Sequence, residues 1–240
     1  MRVAIVSDIH GNLTAFDAVL EDLKRNSPDL ILHGGDLAQG GARPAEVVDK
    51  IRALGWPGVC GNTDEVLWAP EALTAYAAKA PKLQALFNTI AEMIPPAVAA
   101  LGPERIAWLK SLPKVERRGS MALVHASPND LWRSPLVESS DAELAAAYGS
   151  LNASLVVYGH IHRPFIRQLP GMTVANSGSV SMPYDGDIRA SYLLVDDGQP
   201  SIRRVEYELE REVEALQNSG LPHADWAIRI LRAGQYVPIA

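Results

Sequence analysis

Seven side chains with the chemistry of metal ligands stand just beyond short apolar runs: Asp8, His10, Asp36, Asn62, His125, His160 and His162. The first pair lies in Val3-Ala4-Ile5-Val6-Ser7-Asp8-Ile9-His10-Gly11-Asn12, where a buried-strand pattern breaks into polar residues and glycine. Residues two apart in an extended or turning segment point roughly the same way. Asp8 and His10 can therefore turn a carboxylate oxygen and an imidazole nitrogen toward one cation. Taken alone, the pair is explained equally well by an Asp that caps the next helix and a solvated His. The other blocks decide. Leu30 to Leu32 run into His33-Gly34-Gly35-Asp36, and Gly58 to Cys60 into Gly61-Asn62-Thr63-Asp64. Met121 to Val124 run into His125, and Leu155 to Tyr158 into Gly159-His160-Ile161-His162. Imidazole, carboxylate and amide oxygen together suit divalent first-row ions such as manganese, iron or nickel, with zinc also accommodated. Seven ligands exceed the needs of one ion, whereas two ions sharing a carboxylate would use them all.

The elements that must hold these residues read as βα units, whose ligands gather where strands end together. Apolar spacing predicts a helix over Leu13 to Arg25, capped by Asn12 and ended by Ser27-Pro28, and a second over Ala45 to Leu54. Gly58 to Cys60 reads as a third short strand. Residues 65–112 lack β-branched runs and are punctuated by proline, which predicts three or four short helices inserted beside the site. Strands resume at Lys114 to Arg118, Met121 to His125 and Leu155 to Tyr158, with a helix at Asp141 to Tyr148. Four more strands are expected, at Phe165 to Gln168, Met172 to Ala175, Ala190 to Val195 and Ile202 to Tyr207. Helices at Glu208 to Gln217 and Ala224 to Leu231 follow. His33, Trp68, Trp108 and Trp132 are read as packing residues, and Tyr184-Asp185-Gly186-Asp187 as a turn.

With 240 residues, 48% hydrophobic and 21% charged, the chain can bury a sizeable core, and one domain over 1–240 is expected. A net charge of −6 leaves no basic surplus to grip a phosphate backbone, so generic nucleic-acid binding is not expected. The N-terminal residues lack a signal-peptide pattern, and no uninterrupted apolar run reaches the ~18 residues of a membrane span. The single cysteine, Cys60, cannot form an internal disulfide and reads as packed. A cytoplasmic protein without a membrane anchor is expected.

The order Asp8-x-His10, Gly34-Gly35-Asp36, Gly61-Asn62-x-Asp64, His125, Gly159-His160-x-His162 resembles the calcineurin-like metallophosphoesterase superfamily. The resemblance implies an α/β (α+β) fold, a four-layer αββα sandwich of two mixed β-sheets flanked by helices. It implies that Asp8, His10 and His162 hold one divalent metal, that Asn62, His125 and His160 hold the other, and that Asp36 bridges them. Asp36, Asn62 and His125 then form the catalytic centre. The implied reaction is hydrolysis of a small phosphoester by metal-activated water, with phosphodiesters favoured. A phosphomonoesterase, such as a protein phosphatase or a dinucleoside polyphosphate hydrolase, is the nearest alternative. A noncatalytic binding module on the same fold is the other, and the seven filled positions argue against it. One departure stands out. Many relatives carry histidine after the asparagine, where this chain has Thr63 and then Asp64, taken here as substrate-binding candidates. Without that imidazole, good leaving groups are expected to be hydrolysed best.

Overall fold

The computed structural model describes residues 1–239. The chain runs β1 (Arg2–Val6), α1 (Leu13–Asn26), β2 (Leu30–His33), α2 (Pro44–Leu54), α3 (Asn62–Glu65), α4 (Glu71–Ala77) and α5 (Gln84–Lys110). It continues through β3 (Val115–Arg118), β4 (Met121–Val124), α6 (Asp141–Tyr148), β5 (Leu155–Tyr158), β6 (Phe165–Leu169) and β7 (Met172–Asn176). β8 (Ala190–Asp196), β9 (Gln199–Val205), α7 (Leu209–Asn218) and α8 (Ala224–Ala233) complete it.

Two mixed sheets result, ordered β2-β1-β8-β9 and β3-β4-β5-β7-β6. The strands at the site are parallel pairs, β1 with β2 and β4 with β5, so their carboxyl ends emerge together. Strand β1 shows why two layers of core are needed. Its alternate residues Val3 and Ile5 pack between the sheets with Leu123, Val157 and Leu193, while Ala4 and Val6 face Phe16 and Val19 of α1. A third apolar layer sets Leu144 and Tyr148 of α6 against Val156 and Tyr158 of β5. Helices therefore cover both outer faces, the arrangement that the family resemblance implies.

Local chemistry sets the helix ends. The Asn12 side chain accepts from Ala15 N–H at 2.9 Å to start α1, and Ser140 and Glu143 form a capping box at α6. Two expectations need correction. Gly58 to Cys60 is not a strand but a single parallel bridge from Gly58 to His33, because the segment turns at once into α3. The inserted helices number three, as expected, since α5 is broken in two, but they are not all short. The main element, α5, runs on through Pro95 and Pro96 and breaks only at Gly102, whose φ is 67°. With the preceding turn, Pro81–Lys110 spans 30 residues and contains an 18-residue window with a mean hydropathy of 1.3, enough by length and composition for a membrane span. In this fold its Phe87, Ile94, Leu101 and Leu109 are core side chains.

His33 is packed, as the sequence suggests. Its ring is wholly buried, lies 6.1 Å from Trp108, and has no protein partner at either nitrogen. Burial pushes its pKa down to about 3. An unfolded histidine titrates near ~6.5, so the unfolded chain binds the extra proton as the pH falls from there toward 3, and folding loses stability over that window. At pH 5 the loss is about 2 kcal/mol. His33→Leu is expected to stabilise the protein by about 2 kcal/mol more at pH 5 than at pH 8 in denaturant titrations. Equal gains at the two pH values would show that the imidazole takes up no proton penalty in the fold.

Candidate metal centre

The structure places all seven sequence-predicted ligands in one connected cluster. Asp8 follows β1, Asp36 follows β2, His125 follows β4, and His160 and His162 follow β5, while Asn62 opens α3. Their backbones are unusual. Asp8, His10, Asp36, His160 and His162 have φ between 47° and 67°, five of the ten non-glycine residues with positive φ in the described chain. Such conformations cost of order 1 kcal/mol or more each and persist only where surrounding structure enforces them. Here they let adjacent side chains turn back over the strand ends into one space.

Three histidines are aimed by backbone carbonyls. Nδ1 of His10 lies 2.7 Å from Gln39 O, that of His125 2.8 Å from Gly34 O, and that of His162 2.7 Å from Met182 O. A carbonyl only accepts, so each Nδ1 carries the proton and each Nε2 presents a lone pair inward. These lone pairs meet other acceptors. His10 Nε2 is 3.2 Å from His162 Nε2, which is 3.3 Å from Asp8 Oδ1. Asp36 Oδ2 lies 3.7 Å from His10 Nε2 and 3.5 Å from His125 Nε2, between the two halves of the cluster. Asn62 Oδ1 is 2.8 Å from His125 Nε2 and 2.9 Å from His160 Nδ1. Asp8, His10 and His162 offer three ligand atoms within 4.8 Å of one another, and so do Asp8, Asp36 and His125.

The electrostatics favour a cation. Burial opposes ionisation of Asp8, yet the imidazoles of His162, His125 and His10 hold its carboxyl well below the usual range. Burial pushes His160 down to about 4, with His125 adding to the effect, and it also lowers His10. In His125 and His162 burial is outweighed by Asp36 and Asp8, and both pKa values rise. Each half of the cluster thus pairs a carboxylate with an imidazole drawn toward positive charge.

The ligand loops are held by residues with other tasks. Asp64, taken from sequence as a substrate-binding candidate, is wholly buried and cannot reach substrate. Its Oδ2 accepts from Asp36 N–H at 2.9 Å and Gly61 N–H at 3.1 Å, and its Oδ1 accepts from Leu37 N–H at 3.0 Å. The loops meet without side chains: a Cβ on Gly35 would lie 2.5 Å from Gly61 N, so alanine cannot occupy that position. Asn176 steadies the last ligand loop. Its amide donates to Gly159 O at 2.6 Å and its Oδ1 accepts from Gly178 N–H at 2.8 Å. The role rests on β5 and β7 being neighbours, which brings Asn176 beside the Gly159 loop.

A cleft of about 240 Å³ opens over the cluster, with Asp36, Asn62 and Thr63 among its lining. Thr63 donates its backbone N–H to Asp36 Oδ1 at 2.9 Å. Of the three tryptophans singled out in the sequence, Trp68 and Trp108 pack against the core as expected. Trp132 instead lines the cleft, tied to His160 Nε2 through its carbonyl at 3.2 Å. Tyr184 stacks on His162 with ring centroids 4.7 Å apart, a contact that a turn reading of its segment does not suggest. Cys60 is buried with its thiol pushed up in pKa by burial, so it packs and does not react.

An uncharacterized protein of Methanocaldococcus jannaschii is 30% identical over 243 residues, covering 92% of this chain and 93% of that one. A symmetrical bis(5'-nucleosyl)-tetraphosphatase of Methylococcus capsulatus is 29% identical over 156 residues, which are 63% of this chain and 52% of that one. Among solved structures, a metallophosphoesterase from Sphaerobacter thermophilus is 27% identical, with a TM-score of 0.77, and covers 98% of this chain and 100% of its own. The sequence model of the calcineurin-like phosphoesterase superfamily domain matches residues 1–198, and the chain belongs to that superfamily.

Proposed function

We propose that the protein is a phosphodiesterase that works with two divalent metal ions, with residues 1–240 acting as one domain capped by its helical insertion. The observation that carries this reading is the convergence of acceptor atoms. His10 Nε2 and His162 Nε2 face each other at 3.2 Å with their protons committed to carbonyls on the far side of each ring. Two lone pairs held this way call for a proton or a cation between them. The donor set of imidazole, carboxylate and amide oxygen fits manganese, iron, nickel or zinc. Asp8, His10 and His162 would hold one ion, Asn62, His125 and His160 the other, with Asp36 shared. When bound, such ions lower the pKa of water and neutralise charge on phosphoryl oxygen.

The chain's own residues keep the ligands in place. The carbonyls of Gln39, Gly34 and Met182 fix each ring and its tautomer. The low pKa of His160 keeps it neutral at working pH and ready to ligate. No imidazole follows Asn62, so Thr63 offers the leaving group no comparable acid, which supports a preference for esters that leave readily. The single buried Cys60 is in keeping with a reducing cytosol.

The test is metal analysis of the purified protein with assays before and after chelation. About two ions per chain are expected, with bis-para-nitrophenyl phosphate hydrolysed, activity lost on chelation, and activity restored by manganese or nickel. Protein that stays inactive with every metal would favour a noncatalytic module. Faster hydrolysis of the monoester or of a dinucleoside polyphosphate would overturn the diester assignment.

A further inference from the structure

Beyond the candidate ligands, the cleft over the metal centre is lined mostly by apolar and aromatic side chains. Tyr76 of α4 packs edge-on against Phe87 of α5 with ring centroids 5.6 Å apart and stacks on Trp132 at 5.2 Å, while Met182, Tyr184 and Trp226 line the cleft from a second apolar cluster. Both indoles have their N–H groups committed away from the cleft, Trp132 to Glu65 Oε2 at 3.1 Å and Trp226 to Val237 O at 2.8 Å. What they add to the cleft is hydrocarbon surface. Among the described residues, no lysine or arginine lines it. Arg133 sits over the Tyr76 ring and lines a separate hollow. A phosphoanhydride chain carries several negative charges, and its recognition calls for cationic side chains beyond the metals. The walls supply none. At about 240 Å³ the cleft lies below the ~300–1,000 Å³ of most ligand sites, which suits a phosphoryl group and one ring-sized substituent. One wall residue, Trp226, sits on α8, beyond the residues 1–198 that the superfamily domain spans.

We infer that the cleft selects an uncharged apolar or aromatic ester group, so that the substrate is a diester of a single phosphate carrying one such group. This inference rests on the hydrolytic reading of the same site. Selection would come from burial of the ring among aromatic side chains, and the contribution would fall on substrate binding.

The experiment is calorimetric titration of the manganese-loaded protein with phenylphosphonate and with methylphosphonate, which share a head group and are not diester substrates. Phenylphosphonate is expected to bind about tenfold more tightly or better. Trp226→Ala is expected to shrink that ratio to about twofold. Because Trp226 is also a core residue, Leu83→Asp is the companion variant. Leu83 lines the cleft yet is 41% exposed, so a charge there leaves the core intact and should shrink the ratio equally. Equal affinities for the two phosphonates in the unaltered protein, with diester turnover present, would overturn the cleft assignment alone. A clear phenylphosphonate preference in protein that hydrolyses no diester would support the cleft and overturn the hydrolytic reading.

Discussion

Asp36→Asn is expected to lower diester turnover by about 10³-fold while leaving the fold intact. The reasoning is local. Asp36 Oδ1 accepts from Thr63 N–H at 2.9 Å, and the asparagine carbonyl can keep that bond. Asparagine also tolerates the positive φ of 53° at this position better than most residues. The change falls on Oδ2, which lies 3.7 Å from His10 Nε2 and 3.5 Å from His125 Nε2. An NH2 group there turns donor hydrogens toward both lone pairs in place of a shared acceptor and removes the shared negative charge. Bound metal should therefore fall below two ions per chain, with Tm unchanged or raised. Metal analysis, turnover and a thermal melt on one preparation decide the matter. Turnover retained alongside full metal content would remove Asp36 from the shared position and the two-metal reading with it.

Asp64→Ala is expected to act on stability, and the effect should be large. The substitution strips the acceptor from the N–H groups of Asp36, Leu37 and Gly61, all in buried backbone. Leaving a buried donor without a partner costs about 1–3 kcal/mol, so the three together cost about 3–9 kcal/mol. At roughly 2–4 °C per kcal/mol for a chain of this size, that corresponds to a fall in Tm of roughly 6 °C or more. Metal affinity should fall with it, because the same amides set the direction of the Asp36 loop. Asp64→Asn, which keeps one acceptor, should fall between the two. An unchanged Tm in the alanine variant would mean that solvent reaches these amides after all, and that Asp64 is free for another role. Burial and the neighbouring Asp36 raise the Asp64 pKa to about 6, as expected of a carboxylate kept for its acceptors and not for exposure to substrate.

Much of this was legible in the sequence, and the reason is periodicity. Strands β1, β2, β4 and β5 are apolar because both of their faces are covered, so each appears as an unbroken run. The residue after such a run is at a strand end whatever the rest of the chain does. That fact alone placed Asp8, Asp36, His125 and His160 at one edge before any contact was known. The helix cap at Asn12 was legible too, since a cap and its partner lie within three residues.

What tertiary structure decided involves partners far apart along the chain. The proton on His125 is settled by Gly34 O, 91 residues away, and that on His162 by Met182 O, 20 residues away. Asp64 changed from candidate ligand-binder to loop support because three amides from two loops converge on it. The Gly58 to Cys60 strand dissolved because its only strand neighbour is a single bridge at His33. Positive φ at five ligand positions is likewise invisible in sequence, where Asp and His in ordinary turns look the same. The character of the cleft was the least legible feature of all. Its lining comes from α4 and α5 and from α8, more than a hundred residues further along the chain, and apolar spacing cannot tell a side chain facing core from one facing a cavity. The sequence by itself determined which groups reach the site. The packing of distant segments determined their direction, their protons and what surrounds them, because hydrogen bonds and burial depend on proximity in space and not on order along the chain.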